Sequence, residues 1–206
     1  MSQFFAIHPD NPQPRLVRHA VEIIRDGGIV VVPTDSSYAI ACHLDDKSAV
    51  ERIRRIRELE KKHNFTLVCR DLSEISNYAR VDNAVYRLLK AKTPGPYTFI
   101  LRATAVVPRR LQHPKRKTIG IRFPDHAVIA ALLAEHGQPL MSVTLMLPGN
   151  DYPETDAEDI RDKLEHQVDL IIDGGHCGVE PTTVVDLTGS VPLVTRHGKG
   201  STEGLA

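Results

Sequence analysis

The chain has no tryptophan and only five tyrosines and five phenylalanines among 206 residues. It therefore lacks the row of aromatic platforms on which single-stranded nucleic-acid binders stack bases. It also lacks an excess of either charge, since 26 Lys and Arg balance 26 Asp and Glu. A globally basic nucleic-acid binder is not indicated, and any polyanion contact must use a local patch. No apolar run approaches the ~20 residues that span a bilayer, so no membrane partner is expected. The opening MSQFFAIHPDN has neither the basic start nor the apolar stretch of a secretory signal. The three cysteines, Cys42, Cys69 and Cys177, are too few and too far apart for a disulfide framework or a zinc knuckle. They read as small buried hydrophobes in a cytoplasmic protein. The ten histidines are scattered without metal-ligand spacing, so no structural metal is expected. Four signatures are missing: G-x-x-x-x-G-K-[ST], G-x-G-x-x-G after a strand, H-E-x-x-H and G-x-S-x-G.

What is present is an alternation of short apolar runs and helical periodicities. Pro14 opens a helix in which Leu16, Val17, Ala20, Val21 and Ile24 recur at helical spacing before Gly27-Gly28. Strands are expected at 29–32, 38–44, 65–69, 97–101, 118–122, 140–144, 168–172, 183–187 and 193–196. Further helices are expected around 49–56, 81–90, 127–135 and 157–167. Some neighbouring strands have a helix between them and others do not, which predicts an α/β fold with a mixed sheet flanked by helices. A single domain over 14–200 is expected, with an N-terminal segment 1–13 and a flexible polar tail 201–206.

Three polar features stand out. The first is the run Thr34-Asp35-Ser36-Ser37-Tyr38 between two apolar strands. Its hydroxyls either donate to an anion, with Tyr38 stacking on a flat ligand, or cap their own turn. The second is basic: Arg52 to Lys62, and then Arg109, Arg110, Lys115, Arg116, Lys117 and Arg122. An Arg ending a strand is placed for a bidentate phosphate contact. The third is a set of residues at strand ends: Ser142-Val143-Thr144, Thr182-Thr183, and Arg196 before Gly198. Such positions line the crevice where α/β sheets hold ligands. Together they suit an anionic ligand with several acceptor oxygens.

Seven segments in order resemble the YrdC-like family, the threonylcarbamoyl-AMP synthase type, and within it the YciO subgroup. They are VPTDSSYAIAC, HNFTLVC, TPGPYTFIL, KTIGIRFPDH, SVTLMLPG, DGG followed by PTTVVDL, and VTRHG. The resemblance implies a twisted, mostly open sheet with a deep, positively charged cavity. It implies ATP, with Mg²⁺ on the nucleotide, L-threonine and bicarbonate as substrates. The products are threonylcarbamoyl-AMP, for modification of tRNA, and pyrophosphate. Carried over by residue, Thr34 and Tyr38 face the threonine or adenylate, and Thr118 and Arg122 hold carboxylate or phosphate oxygens. Ser142, Thr144, Thr183 and Arg196 line the nucleotide side.

The family's K-x-R…S-x-N signature is altered. Its K-x-R slot holds Arg57-Glu58-Leu59, so the first cation is kept as Arg57 and the second is lost. Its S-x-N slot holds Ser142-Val143-Thr144, a hydroxyl in place of the amide. One lost charge-assisted hydrogen bond, roughly 1.5–3 kcal/mol, corresponds to about 10- to 100-fold in rate if it acts on the transition state. Two readings follow. One is a nucleotidyltransferase with Arg57, Arg122 and Ser142 as its catalytic set. The other is a tRNA- or double-stranded-RNA-binding module using Arg109, Arg110 and Lys115 to Lys117 around the same basic hollow.

Overall fold

A computed structural model describes residues 1–205. Ten strands form one sheet: β1 (Gln3–Ala6), β2 (Val30–Val32), β3 (Ala39–His43), β4 (Thr66–Val68), β5 (Tyr97–Arg102), β6 (Thr118–Arg122), β7 (Leu140–Thr144), β8 (Leu170–Asp173), β9 (Thr183–Asp186) and β10 (Leu193–Arg196). Their order across the sheet is β1-β8-β2-β3-β7-β4-β6-β5-β9-β10. Parallel and antiparallel neighbours alternate irregularly, so the expected mixed, open α/β sheet is what forms.

Six α-helices flank it: α1 (Pro14–Arg25), α2 (Lys47–Arg57), α3 (Leu72–Tyr78), α4 (Asn83–Lys92), α5 (Ala127–His136) and α6 (Ala157–Leu164). Their starts are written in aspartates. Asp46, Asp71, Asp82 and Asp156 each accept backbone N–H bonds from the first turn of α2, α3, α4 and α6. Gly137, at φ 79°, closes α5 in the left-handed conformation that favours glycine.

The helices divide unequally between the two faces. Apolar residues of α2, α3, α4 and α6 pack in one core with Ile40, Leu67, Ile121, Met141 and Ile171. The opposite core holds α1 and α5 with Val30, Val32, Ala41, Val68, Leu140 and Ile172. Because side chains alternate along a strand, Leu67 and Met141 face one side while Val68 and Leu140 face the other. The pair α1 and α5 is too small to cover its whole face. Beyond Val68 and Leu140, that face is left without a helix.

One strand and one α-helix were not expected. β1 lies within the segment 1–13 and pairs only with β8, Gln3 to Leu170 through Ala6 to Asp173, so the sheet begins ahead of residue 14. α3 follows β4 directly and is a short helix. The tail also packs. Tyr97 donates from its hydroxyl to the Ser201 carbonyl at 2.8 Å, and Leu205 is buried. Ala206 lies outside the described residues. All three cysteines are free and buried. Among the described residues, no helix is long and apolar enough to cross a membrane.

Candidate functional site

The bare part of the sheet face floors a cavity of about 710 Å³. Strand register explains the floor. Ser142 on β7 lies opposite Thr66 on β4, Thr66 opposite Gly120 on β6, and Gly120 opposite Ile100 on β5. All four line the cavity. The row is kept low by its side chains. A Cβ at Gly120 would stand 2.8 Å from Thr66 Oγ1, so only glycine lets that hydroxyl lie across the floor.

Arg122 ends β6 at the rim, two residues from Gly120 and on the same face. It is buried, 6% exposed. Its Nη2 donates to Asp35 Oδ1 at 2.6 Å and to Ser36 Oγ at 3.3 Å. Its Nε is buried and has no acceptor among the described residues. Burial pulls the guanidinium pKa down, and the Asp35 carboxylate works against that. Asp35 Oδ2 accepts the Asp125 N–H at 2.9 Å, so Asp35 and Arg122 hold one another in place.

The hydroxyl run between β2 and β3 is therefore a clamp on Arg122. Thr34 Oγ1 accepts the N–H of Ser36 and Ser37 and donates to the Ser37 carbonyl at 2.6 Å, closing the turn on itself. Tyr38 is buried and donates to the Gly175 carbonyl at 2.6 Å. Neither Thr34 nor Tyr38 lines the cavity. The turn that caps itself is the form the chain adopts, and its contribution to the site runs through Asp35 and Ser36.

The altered signature slots acquire a physical account. Glu58, at φ 51°, ends α2 in the left-handed conformation, and the Leu59 N–H returns to the Arg54 carbonyl at 3.0 Å. That is a helix stop whose following residue is normally apolar. Leu59 fills that place and packs against the core instead of facing the cavity. Arg57 does reach the wall, where its Nε donates to the Thr144 carbonyl at 2.7 Å and its Nη1 to the Met146 carbonyl. It fastens the end of β7, the strand that carries Ser142 and Thr144. Arg54 is stacked on Phe65, 4.5 Å from the ring centre.

On the far wall, Thr182 Oγ1 meets Thr98 Oγ1 at 2.7 Å, and Arg196 Nη2 donates to Thr182 Oγ1 at 3.0 Å. Thr183 points the other way and donates to the Gly200 carbonyl at 2.6 Å. Thr118 is buried at the opposite end of β6 and lies off the cavity. Of the residues singled out in the sequence, Arg57, Arg122, Ser142, Thr144 and Arg196 converge, whereas Thr34, Tyr38, Thr118 and Thr183 do not. Lys62, read in the sequence only as part of a solvated basic segment, also lines the cavity, and Asn64 between α2 and β4 and Asp151 and Tyr152 after β7 reach it without having been assigned a role. They sit in loops, where no periodicity marks direction.

The basic run 115–117 does not reach the cavity, and neither do Arg109 and Arg110. Arg110 donates to the Leu44 carbonyl at 3.1 Å, and Arg116 is paired with Asp186 at 2.5 Å.

The family model named for Sua5, YciO and YrdC, described as telomere recombination, matches residues 22–198. The chain belongs to this family. A protein of Escherichia coli K12 described as uncharacterized protein YciO is 60% identical over 200 residues, covering 97% of each chain. The crystal structure of E. coli YciO matches over 100% of both chains with a TM-score of 0.97 and 58% identity. A threonylcarbamoyl-AMP synthase of Vibrio vulnificus YJ016 is 27% identical over 161 residues, 77% of this chain and 86% of that one. The Sua5/YciO/YrdC fold is also that of P. abyssi Sua5 complexed with L-threonine, with a TM-score of 0.88 and 24% identity over 96% of this chain and 58% of that one.

Proposed function

We propose that the cavity binds ATP and forms threonylcarbamoyl-AMP from ATP, L-threonine and bicarbonate, an activity that serves tRNA modification. The observation that carries this reading is Arg122. It lines the cavity at the strand end, and Asp35 and Ser36 hold its guanidinium in one place, so its charge is fixed where phosphate oxygens would enter. The chemistry asks for little covalent help. The threonine amine attacks bicarbonate carbon, water leaves, and a carbamate forms. A carbamate oxygen then attacks the α-phosphorus. The bond from that phosphorus to the bridging oxygen breaks, and pyrophosphate leaves with the electron pair.

In this reading the chain supplies position and charge. Arg122 and Arg196 bracket the floor from two sides and neutralise phosphate oxygens. Ser142 and Thr144 offer hydroxyl donors, oriented because Arg57 fastens the strand end. Mg²⁺ would arrive on the ATP as part of the substrate and would offset phosphate charge there. Tyr152 and Val179, exposed apolar groups at the mouth, offer a surface for the base.

Lys62 and Asn64 deepen the assignment. The chain lacks the second cation of K-x-R and the amide of S-x-N, yet a cation and an amide reach the cavity from the loop after α2. We assign the missing charge to Lys62 and the missing amide to Asn64. The test follows pyrophosphate in purified protein given ATP, L-threonine and bicarbonate. Release should require both threonine and bicarbonate, and Lys62→Ala should lower it by about 10- to 100-fold. No release at high enzyme concentration overturns the synthase reading. Release unaffected by Lys62→Ala overturns the replacement alone.

A further inference from the structure

A second hollow lies beyond the cavity, at the end of β5 and β9. Along β5, Thr98 and Ile100 point into the cavity, and Arg102 is next in the same alternation. It lies about 13 Å from Thr98 at the rise of an extended strand. Arg102 lines a separate cleft of about 330 Å³ together with Arg80, Asp82, Thr188 and Gly189. Arg80 is brought there by backbone pairing, since its N–H donates to the Arg102 carbonyl at 2.8 Å. The two guanidiniums therefore stand on adjacent chain segments at one opening.

Of the two nearby carboxylates Asp186 is ion-paired, and Asp82 keeps its charge, so the cleft sets two guanidiniums against one carboxylate. Asp186 takes Arg116 on Oδ2 at 2.5 Å and the Thr188 N–H and hydroxyl on Oδ1, at 2.9 and 2.6 Å. Asp82 accepts the Val85 N–H at 2.8 Å as the cap of α4. The side chains of Arg80 and Arg102 have no hydrogen-bond or ion-pair partner among the described residues, and both are exposed. Two like charges held beside one opening repel each other, and an anion between them removes that cost. Arg forks match phosphate oxygens in pairs. The Lys117 carbonyl accepts the Ala103 N–H at 3.0 Å, so the run Lys115-Arg116-Lys117 lies along the same edge.

We propose that this cleft is a second oxyanion site, independent of the cavity, that takes a phosphate group between Arg80 and Arg102. That chemistry has two sources, the phosphodiester backbone of RNA and free phosphate. The test uses the full chain and two probes, inorganic phosphate followed by calorimetry and a short fluorescein-labelled RNA followed by anisotropy. The double variant Arg80→Ala/Arg102→Ala should weaken binding of at least one probe by about tenfold or more. Lys at both positions should recover part of it. If RNA is the source, the slope of log affinity against log salt should shrink by about 1.4, two contacts at about 0.7 each. If free phosphate is the source, the phosphate arm alone responds. Pyrophosphate release and the unfolding midpoint should stay as in the wild type. Absence of binding for both probes overturns the proposal, as does binding that survives the double change. Loss of pyrophosphate release in that variant overturns the claim of independence.

Discussion

Leu140 and Ser142 stand two residues apart on one strand, on one face of one sheet, and do opposite work. Leu140 lies under α5 in a dry core, and Ser142 lies on the floor of the cavity. Val68 and Thr66 repeat the contrast on the neighbouring strand. The boundary between core and site thus runs across the strands rather than between them. A helix pair covers one part of the face, and the uncovered part carries small and polar residues in the same alternation. The site was made by withholding a layer, and the scaffold beneath both regions is common.

The sharpest way to break that comparison is at the boundary ion pair. Arg122 and Asp35 have side chains only 8% and 9% exposed. Arg122→Met leaves a buried carboxylate uncompensated and should cost about 3–5 kcal/mol in urea unfolding. Adding Asp35→Asn should return a substantial part of that loss. Wild-type stability in the single variant would mean that the pair is not held out of water, and the boundary drawn here would fail.

Next in size is the contrast itself. Leu140→Ala should cost about 3 kcal/mol of stability, as for other buried large-to-small changes. Ser142→Ala should cost less than about 0.5 kcal/mol in unfolding, the range of substitutions that create no cavity, while pyrophosphate release falls by about tenfold or more. Equal stability losses at both positions would show that the cavity floor is packed as a core is packed.

Much of this architecture was legible in the sequence, and the failures have physical causes. Nine of the ten strands were expected because runs such as Val30 to Val32 carry β-branched residues between turn signals. β1 was missed because it is four half-exposed residues whose partner strand begins at Leu170, more than half the chain away. In the site, strand position was readable and facing was not. Thr182 and Thr183 are adjacent hydroxyls pointing to opposite faces, and composition cannot choose between them without register. Thr34 and Tyr38 looked like ligand groups because a hydroxyl that caps its own turn has the same sequence as one that meets a substrate. The Leu59 replacement read as pure loss because the helix stop that wants an apolar residue there is a three-dimensional feature.

The covered half should also carry an acid sensitivity. His136, at the end of α5, is buried, and neither ring nitrogen has a partner among the described residues. Burial first, then the nearby His43 and Arg25, pushes its pKa down to about 4. In the unfolded chain the imidazole takes its proton near pH 6.5. Between those values the unfolded state binds more protons, so stability should fall as pH drops from about 6.5 toward 4, by about 3 kcal/mol, and level below that. His136→Leu should flatten that part of the stability–pH curve. An unchanged slope would locate the acid sensitivity elsewhere.

The smallest effect tests the uncovered half at its mouth. Tyr152 is 66% exposed, and its ring lies at the rim of the cavity, above a floor of hydroxyls and guanidiniums. Its removal should leave stability within about 0.5 kcal/mol, because little is packed against it. If the base of the nucleotide rests there, Tyr152→Ala should weaken ATP by about 1 kcal/mol, roughly fivefold, the low end of stacking on an exposed ring. Inorganic triphosphate keeps every phosphate contact and has no base, so its affinity should not change, and Tyr152→Phe should behave as wild type toward both. Equal losses for ATP and triphosphate would mean that the ring shapes the loop rather than meeting the base. Unchanged affinity for both would place the base elsewhere on the rim, while leaving Arg122 and the row from Ser142 to Ile100 as the part of the sheet that grips the phosphates.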